Sequence, residues 1–264
     1  MGIMDRFKTA SRSWARTIVA FESPPRLREV GGQMGEPEPE QNAQVTREDQ
    51  FKIRLAHNDE RTRDAKFFVE KRYGEVGYRG DGSAGSNSCS CPDSITLATY
   101  QGEQVIGTQT LGFDVGNGLL ADELYKAEID ILRERGCTVA EITKFALDTK
   151  LTSKRFLAAM FNVSYIYLRK LWQYSDVVIE VNPTHAAFYK RMLGFKEIGS
   201  ERMCPRVHAP AVLLWLDLIE VDKKVALVAG QHELAKQDRT LYPYFFPPQE
   251  EARITDRLLR AEPK

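Results

Sequence analysis

The sequence has no apolar run approaching the roughly 20 residues that cross a bilayer, and it carries no net charge, with Lys plus Arg at 37 and Asp plus Glu at 37. The first lack argues against a membrane-spanning chain. The second removes any global electrostatic case for nucleic acid or an anionic membrane, so a basic docking site must be local. Cysteine is scarce, with four in 264 residues. Cys89 and Cys91 are one residue apart, Cys137 and Cys204 stand alone, and no CxxC or HxxxH partner is present, so no metal site is expected and the thiols are read as reduced. Arg6, Lys8, Arg12 and Arg16 break up the N-terminal apolar residues, which denies the chain the apolar core of a secretory signal; a cytoplasmic protein is expected. No Ser-His-Asp arrangement is visible, so a covalent acyl-enzyme is not required.

What is present is 42% hydrophobic content, enough for one well-buried core with extensions at its ends. Residues 1–21 form an amphipathic stretch, with Ile3, Phe7, Trp14 and Ile18 at near-helical spacing. Two readings stand for it: contact of its basic face (residues 1–20) with a membrane surface or acidic partner, or a helix packed on the domain. Residues 22–50 are rich in Pro, Gly, Glu and Gln and read as a flexible linker. Residues 51–219 carry the folded domain. Residues 220–264 include Tyr242-Pro-Tyr-Phe-Phe-Pro-Pro248, too apolar to leave in water at roughly 25 cal/mol per Å². This extension is expected to dock back, closing an acyl pocket or covering a sheet edge.

Within the domain, Phe51 to Leu55 alternates with period two and Asp59 to Tyr73 favours a helix. Gly74 to Pro92, rich in Gly and Ser, reads as a flexible loop suited to a lid. Ser94 to Tyr100 and Gln104 to Phe113 read as an antiparallel hairpin across Gln101-Gly102-Glu103. A helix follows over Leu120 to Arg135, stopped by Gly136. Thr138 to Asp148 is a strand, and Ser153 caps a helix running to Tyr174. Asp176 to Val181 is a short buried strand, Thr184 to Leu193 a helix stopped by Gly194, and Phe195 to Ile198 and Pro210 to Leu218 the last strands. The order β-α-β-β-α-β-α-β-α-β-β predicts an α/β fold, a mixed sheet with helices on its faces.

Two segments carry a resemblance. Asn182-Pro-Thr-His185-Ala-Ala-Phe188-Tyr189-Lys-Arg-Met-Leu193-Gly-Phe195 resembles the strand-to-helix segment of GNAT acyltransferases, with one extra residue before the Leu. Ala140-Glu141-Ile-Thr143-Lys144-Phe145 is similar to the E-x-S/T-R/K-F strand of acyl-homoserine-lactone autoinducer synthases and long-chain N-acyl amino acid synthases. Pro92-Asp93-Ser-Ile-Thr and Gly107-Thr-Gln-Thr110-Leu-Gly-Phe-Asp114 extend the match to roughly residues 51–218. Autoinducer synthases carry an arginine where Thr110 stands, and Gly118-Leu-Leu-Ala-Asp122-Glu-Leu-Tyr125 fits the N-acyl amino acid synthases better.

The resemblance implies a GNAT fold and transfer of a long-chain acyl group to an amino acid's α-amine. A glutamate in an apolar strand is costly unless paired or functional, and burial raises its pKa towards that of a general base. Glu141 is therefore the candidate base, the alternative being a salt bridge with Arg72. Alternation places Glu141, Thr143 and Phe145 on one face and Lys144 on the other, unless a bulge intervenes. A strand N–H near Phe145 is the expected oxyanion donor. Tyr189 matches the tyrosine that protonates the departing thiolate in the family; the alternative is a packed aromatic of its helix. Arg72, Asp93, Thr143, Lys144 and Asn182 are the candidate acceptor-side residues. Arg79, Arg202 and Arg206 are further cations able to hold a carboxylate.

Coenzyme A-dependent members carry a glycine run whose N–H groups bind the pyrophosphate. Here Asp148-Thr-Lys150-Leu-Thr-Ser153-Lys154-Arg155 has no glycine. That favours a donor without the nucleotide: the acyl-phosphopantetheine of an acyl carrier protein, with Lys150, Lys154 and Arg155 facing its phosphate and acidic surface, or else a solvated helix start. No bound cofactor is expected. Two rival readings are an acyl-CoA-dependent N-acetyltransferase and a non-catalytic acyl-binding module on the same fold.

Overall fold

The structure is a computed structural model that describes residues 17–22, 50–56, 58–78, 93–148 and 153–261. Its centre is an eight-stranded sheet in the order β1-β2-β3-β4-β5-β6-β8-β7. The strands are β1 (Val19–Glu22), β2 (Gln50–Leu55), β3 (Ser94–Gln101), β4 (Gln104–Phe113), β5 (Val139–Leu147), β6 (Asp176–Val181), β7 (Lys196–Cys204) and β8 (Ala209–Asp217). Every neighbouring pair is antiparallel except β5 and β6, which run parallel.

The helices start where side chains satisfy the free N–H groups of a first turn. Asn58 accepts from Arg61 N at the head of α1 (Asp59–Glu75). Helix α2 (Asp122–Glu134) follows the Gly116-Asn117-Gly118 turn. Ser153 Oγ accepts from Phe156 N at the head of α3 (Lys154–Tyr165). Asn182 caps α4 (Pro183–Leu193), which Gly194 ends with φ of 80°. Asp217 caps α5 (Leu218–Val228), and α6 (Pro248–Ala261) follows.

Helices α1 and α2 pack on one face of the sheet over two small clusters, Ala65, Phe68, Ala98 and Tyr100 under α1 and Tyr125, Ile129, Val178 and Leu213 under α2. The large core lies on the other face, beneath α3, α4 and the C-terminal segment. There Phe156, Met160, Val163 and Ile166 meet Ile142, Val177 and Leu214, and Tyr242, Phe245 and Phe246 close the layer.

Three expectations change. Val19–Glu22, read as the end of the amphipathic stretch and the first linker residue, is an edge strand, because Phe21 pairs with Phe51 and both rings meet that of Phe156. Residues 1–16 and 23–49, most of the amphipathic stretch and linker, lie outside the described residues. The helix expected to reach Tyr174 leaves α geometry after Tyr165 for a π-helical turn, Ile166–Leu171. The strand expected to end at Ile198 runs on to Cys204, carried by its pairing with β8.

Candidate active site

The parallel pair organises the site. β5 and β6 are in register only from Val139 to Glu141 against Asp176 to Val178. Beyond that they part: β6 stays with β8 through Val181, while β5 stays with β4. The separation leaves a V-shaped opening whose two walls present backbone groups that no strand pairs among the described residues.

A bulge in β5 sets the shape of one wall. Thr110 pairs with Thr143 but Thr108 pairs with Ala146, so β5 carries one residue more than β4 over this interval. Lys144 absorbs it with φ of 49°, and its carbonyl accepts from Thr108 Oγ1 at 3.1 Å. The bulge corrects the expected alternation. Glu141 faces α2, whereas Phe145 turns to the opposite face and packs on Phe161 and Tyr189 at 5.2 and 6.4 Å between ring centroids. Lys144 itself is exposed and Thr143 half-buried.

Glu141 is 1% exposed. Its two oxygens accept from Leu120 N at 2.9 Å and Ala121 N at 3.1 Å, the free amides just ahead of α2. Burial raises its pKa, the two amide bonds and Arg206 oppose that rise, and the carboxyl ends up at about 7. It forms no ion pair with Arg72. That arginine binds Asp148 at 2.5 Å and Glu75 at 2.7 Å, at the far end of β5.

The other expected residues separate into groups. Asp93 is buried and accepts from Asn117 at 3.0 Å, beside the paired end of β5; seven residues of strand, about 23 Å, separate its neighbour Ala140 from Leu147, next to the Arg72 partner. Arg72 and Asp93 therefore do not form one cluster. Asn182 Oδ1 is engaged in capping, accepting from Thr184 N at 3.0 Å and Thr184 Oγ1 at 2.7 Å. Lys154 and Arg155 are exposed on the first turn of α3. Lys150, Arg79, Cys89, Cys91 and most of the expected lid lie outside the described residues.

Tyr189 sits on α4, its ring surrounded by Phe145, Phe161, Phe188 and Phe195. Burial pushes its phenol up, as do the charges of Tyr73 and Tyr78 when ionised. It is therefore protonated at neutral pH, as a proton donor must be. Tyr73 and Tyr78, stacked edge to face at 5.5 Å, bring the end of α1 into the electrostatic neighbourhood of Tyr189.

On the Glu141 side of the sheet lies a polar cluster that the sequence reading missed in part. Arg206 binds Glu180 at 2.7 Å, Leu120 O at 3.1 Å and Glu123. Glu180 is on β6 two residues beyond the last parallel pair. An acid inside the apolar strand Asp-Val-Val-Ile-Glu-Val carried the same signal that singled out Glu141. Arg202 is taken by Glu128 and lies 4.6 Å over the Tyr125 ring. The amides of Leu120 and Ala121 have no side-chain signature.

A family model described as N-acyl amino acid synthase FeeM matches residues 64–217, more than half of the chain. The chain belongs to this N-acyl amino acid synthase family. The solved structure of FeeM, an N-acyl amino acid synthase from uncultured soil microbes, is 28% identical with a TM-score of 0.59, over 64% of this chain and 93% of that one. An N-acetyltransferase from Staphylococcus aureus Mu50 is 15% identical over 64% of this chain and 98% of its own, with a TM-score of 0.46. The CoA-dependent acyl-homoserine lactone synthase BjaI is 15% identical over 59% of this chain and 72% of its own, with a TM-score of 0.43. No curated protein sequence matches. The synthase is thus an acyltransferase of GNAT fold, its mixed sheet flanked by helices as the sequence led one to expect. Among the described residues no helix is long and apolar enough to cross a membrane.

Proposed function

We propose that this synthase moves a long-chain fatty acyl group from the phosphopantetheine thioester of acyl carrier protein to the α-amino group of an amino acid. The observation that carries the reading is Glu141, a buried carboxyl at about 7 beside the point where β5 and β6 separate. An α-ammonium must lose a proton before its nitrogen attacks a thioester, and a base near neutral pKa suits that step.

The pantetheine arm enters the V and bonds to the unpaired strand backbone. The acceptor approaches from the α2 side, where Glu141, directly or through a water, takes the ammonium proton. The amine nitrogen then attacks the thioester carbonyl, and a β5 amide near Phe145 stabilises the oxyanion. Collapse forms the amide and breaks the C–S bond, and the Tyr189 hydroxyl protonates the leaving thiolate. Thr143 and Lys144 border the opening, while Arg72, Asp93 and Asn182 hold its surrounding segments through the contacts described above. The carboxylate of the acceptor requires a cation, and Arg206, already shared between Glu123 and Glu180, is the arginine whose charge acts on Glu141.

The glycine-free sequence from Asp148 to Arg155 supports a carrier-protein donor, since Lys150, Lys154 and Arg155 are cations suited to a phosphate and an acidic protein surface. The test offers purified protein a pool of amino acids with either the long-chain acyl carrier protein or the matching acyl-CoA, and identifies amides by mass spectrometry. Amide from the carrier protein alone is the expected result. Amide from acyl-CoA alone contradicts the donor assignment, and amide from neither contradicts the reading.

A further inference from the structure

On the α3 and α4 side of the sheet, an apolar cavity is lined by Ile142 and Val177 of the strands, by Phe161 of α3, and by Tyr242 and Phe245 of the C-terminal segment. Its volume is about 30 Å³, the size of a water molecule or two or of the last carbons of a chain. Ser164 also lines it, and the buried Ser164 Oγ has no hydrogen-bond partner among the described residues. The void and the unpartnered hydroxyl together mark a departure from close packing at this place.

We propose that Tyr242 and Phe245 form the end wall of the acyl pocket and set the length of chain the synthase accepts. The proposal rests on the acyltransfer reading above and adds the residues that measure the chain. Val177 pairs with Ala140 and Ile142 follows Glu141, the last parallel position of β5, so the cavity adjoins the point where the strands part, and the terminal carbons of a chain bound through its thioester in the V meet the wall there. Phe245 and Tyr242 belong to the segment after residue 217, where the family match ends, so they are a feature of this chain beyond the matched region.

A wall that measures length must not yield, and this one is fastened at several points. Leu241 N donates to Met192 O at 2.9 Å and Tyr242 Oη to Leu193 O at 2.5 Å. Phe246 N donates to the buried Asn162 Oδ1 at 2.7 Å. Asp222 on α5 accepts from Arg169 at 2.7 Å and from the hydroxyl of Tyr165. The anchors come from α3, the π-helical turn and α4, the same elements that line the cavity.

The test gives the full chain and two variants a ladder of saturated acyl donors in competition, and reads the amide lengths by mass spectrometry. Phe245→Ala opens the end of the pocket and is expected to move the optimum to longer chains, by about fourfold in kcat/KM for each methylene newly buried. Ser164→Leu fills the cavity and is expected to move it to shorter ones. Opposite shifts separate a ruler from loosened packing, which would broaden both profiles alike. Calorimetric binding of the matching free fatty acids to the same three proteins gives a readout that needs no turnover. Unchanged length profiles with amide still formed overturn the wall and leave the acyltransfer reading intact. If no donor yields amide, shifted binding optima uphold the wall while that reading falls, and unshifted optima overturn both.

Discussion

Gly112 lies across the β4–β5 ladder from Glu141, and a Cβ at position 112 would come within 2.8 Å of Glu141 Cγ and 2.9 Å of Oε1. The glycine therefore makes the room in which the carboxylate reaches the amides of Leu120 and Ala121. Gly112→Ala is predicted to displace Glu141 and lower kcat/KM by about a hundredfold, the cost of a misplacement near 1 Å. Gly74→Ala, where an added Cβ meets nothing within 4 Å, is predicted to leave kcat/KM unchanged. Steady-state kinetics of the two variants check the contrast.

The pH dependence follows from the same carboxyl, and its sign is opposite for activity and stability. Glu141 rises from 4.5 to about 7 on folding. Between those values the native chain holds a proton that the unfolded chain has released, so stability is predicted to fall as pH rises through this window, by on the order of 3 kcal/mol. The base form of the native chain becomes populated only as pH reaches and passes about 7, so kcat/KM is predicted to rise there. Thermal unfolding and rate profiles taken across the window check both slopes, and Glu141→Gln should flatten the stability slope.

Tyr189→Phe removes the proposed acid without removing its packing. We predict a loss in kcat of about a hundredfold, the low end for general acid catalysis because a thiolate already leaves well. Melting should change little. A donor thioester with a more acidic thiol is expected to recover most of the rate in the variant, and equal loss with both donors would assign Tyr189 to packing alone.

Much of this arrangement was legible in the sequence, for local reasons. Phe51, Ile53 and Leu55 alternate with half-buried neighbours as period two requires, and Ser153 and Gly194 sit at helix ends because their chemistry satisfies those ends. Glu141 stood out because an acid in an apolar strand demands an explanation. What escaped was set by tertiary pairing. The bulge at Lys144 has no glycine or asparagine to announce it, so simple alternation sent Phe145 to the wrong face. β1 owes its strand form to Phe51 and Ile53 opposite it. β7 is an edge strand with Lys196, Glu197, Ser200 and Glu201 exposed, so it shows little periodicity beyond its first residues. Arg72 was matched to Glu141 by charge alone, whereas the fold brings it to Asp148.

The C-terminal segment supplies a stability prediction independent of catalysis. Asn162 is fully buried on α3 and accepts from Phe246 N at 2.7 Å. Asn162→Ala leaves that buried N–H without a partner, at a cost of about 1–3 kcal/mol. Thermal unfolding should shift down by about 2–4 °C for each kcal/mol lost. Replacement without any shift would mean that the segment does not depend on this bond.

The central claim is that Glu141 deprotonates an amine that then takes the acyl group. Its most direct test is single-turnover formation of N-acyl amino acid by Glu141→Gln and by the unaltered protein at neutral pH, with saturating acyl donor and acceptor. The account predicts amide formation by the unaltered protein and a loss of about 10²–10⁴-fold in the variant. Amide formed by the variant at the unaltered rate would contradict it.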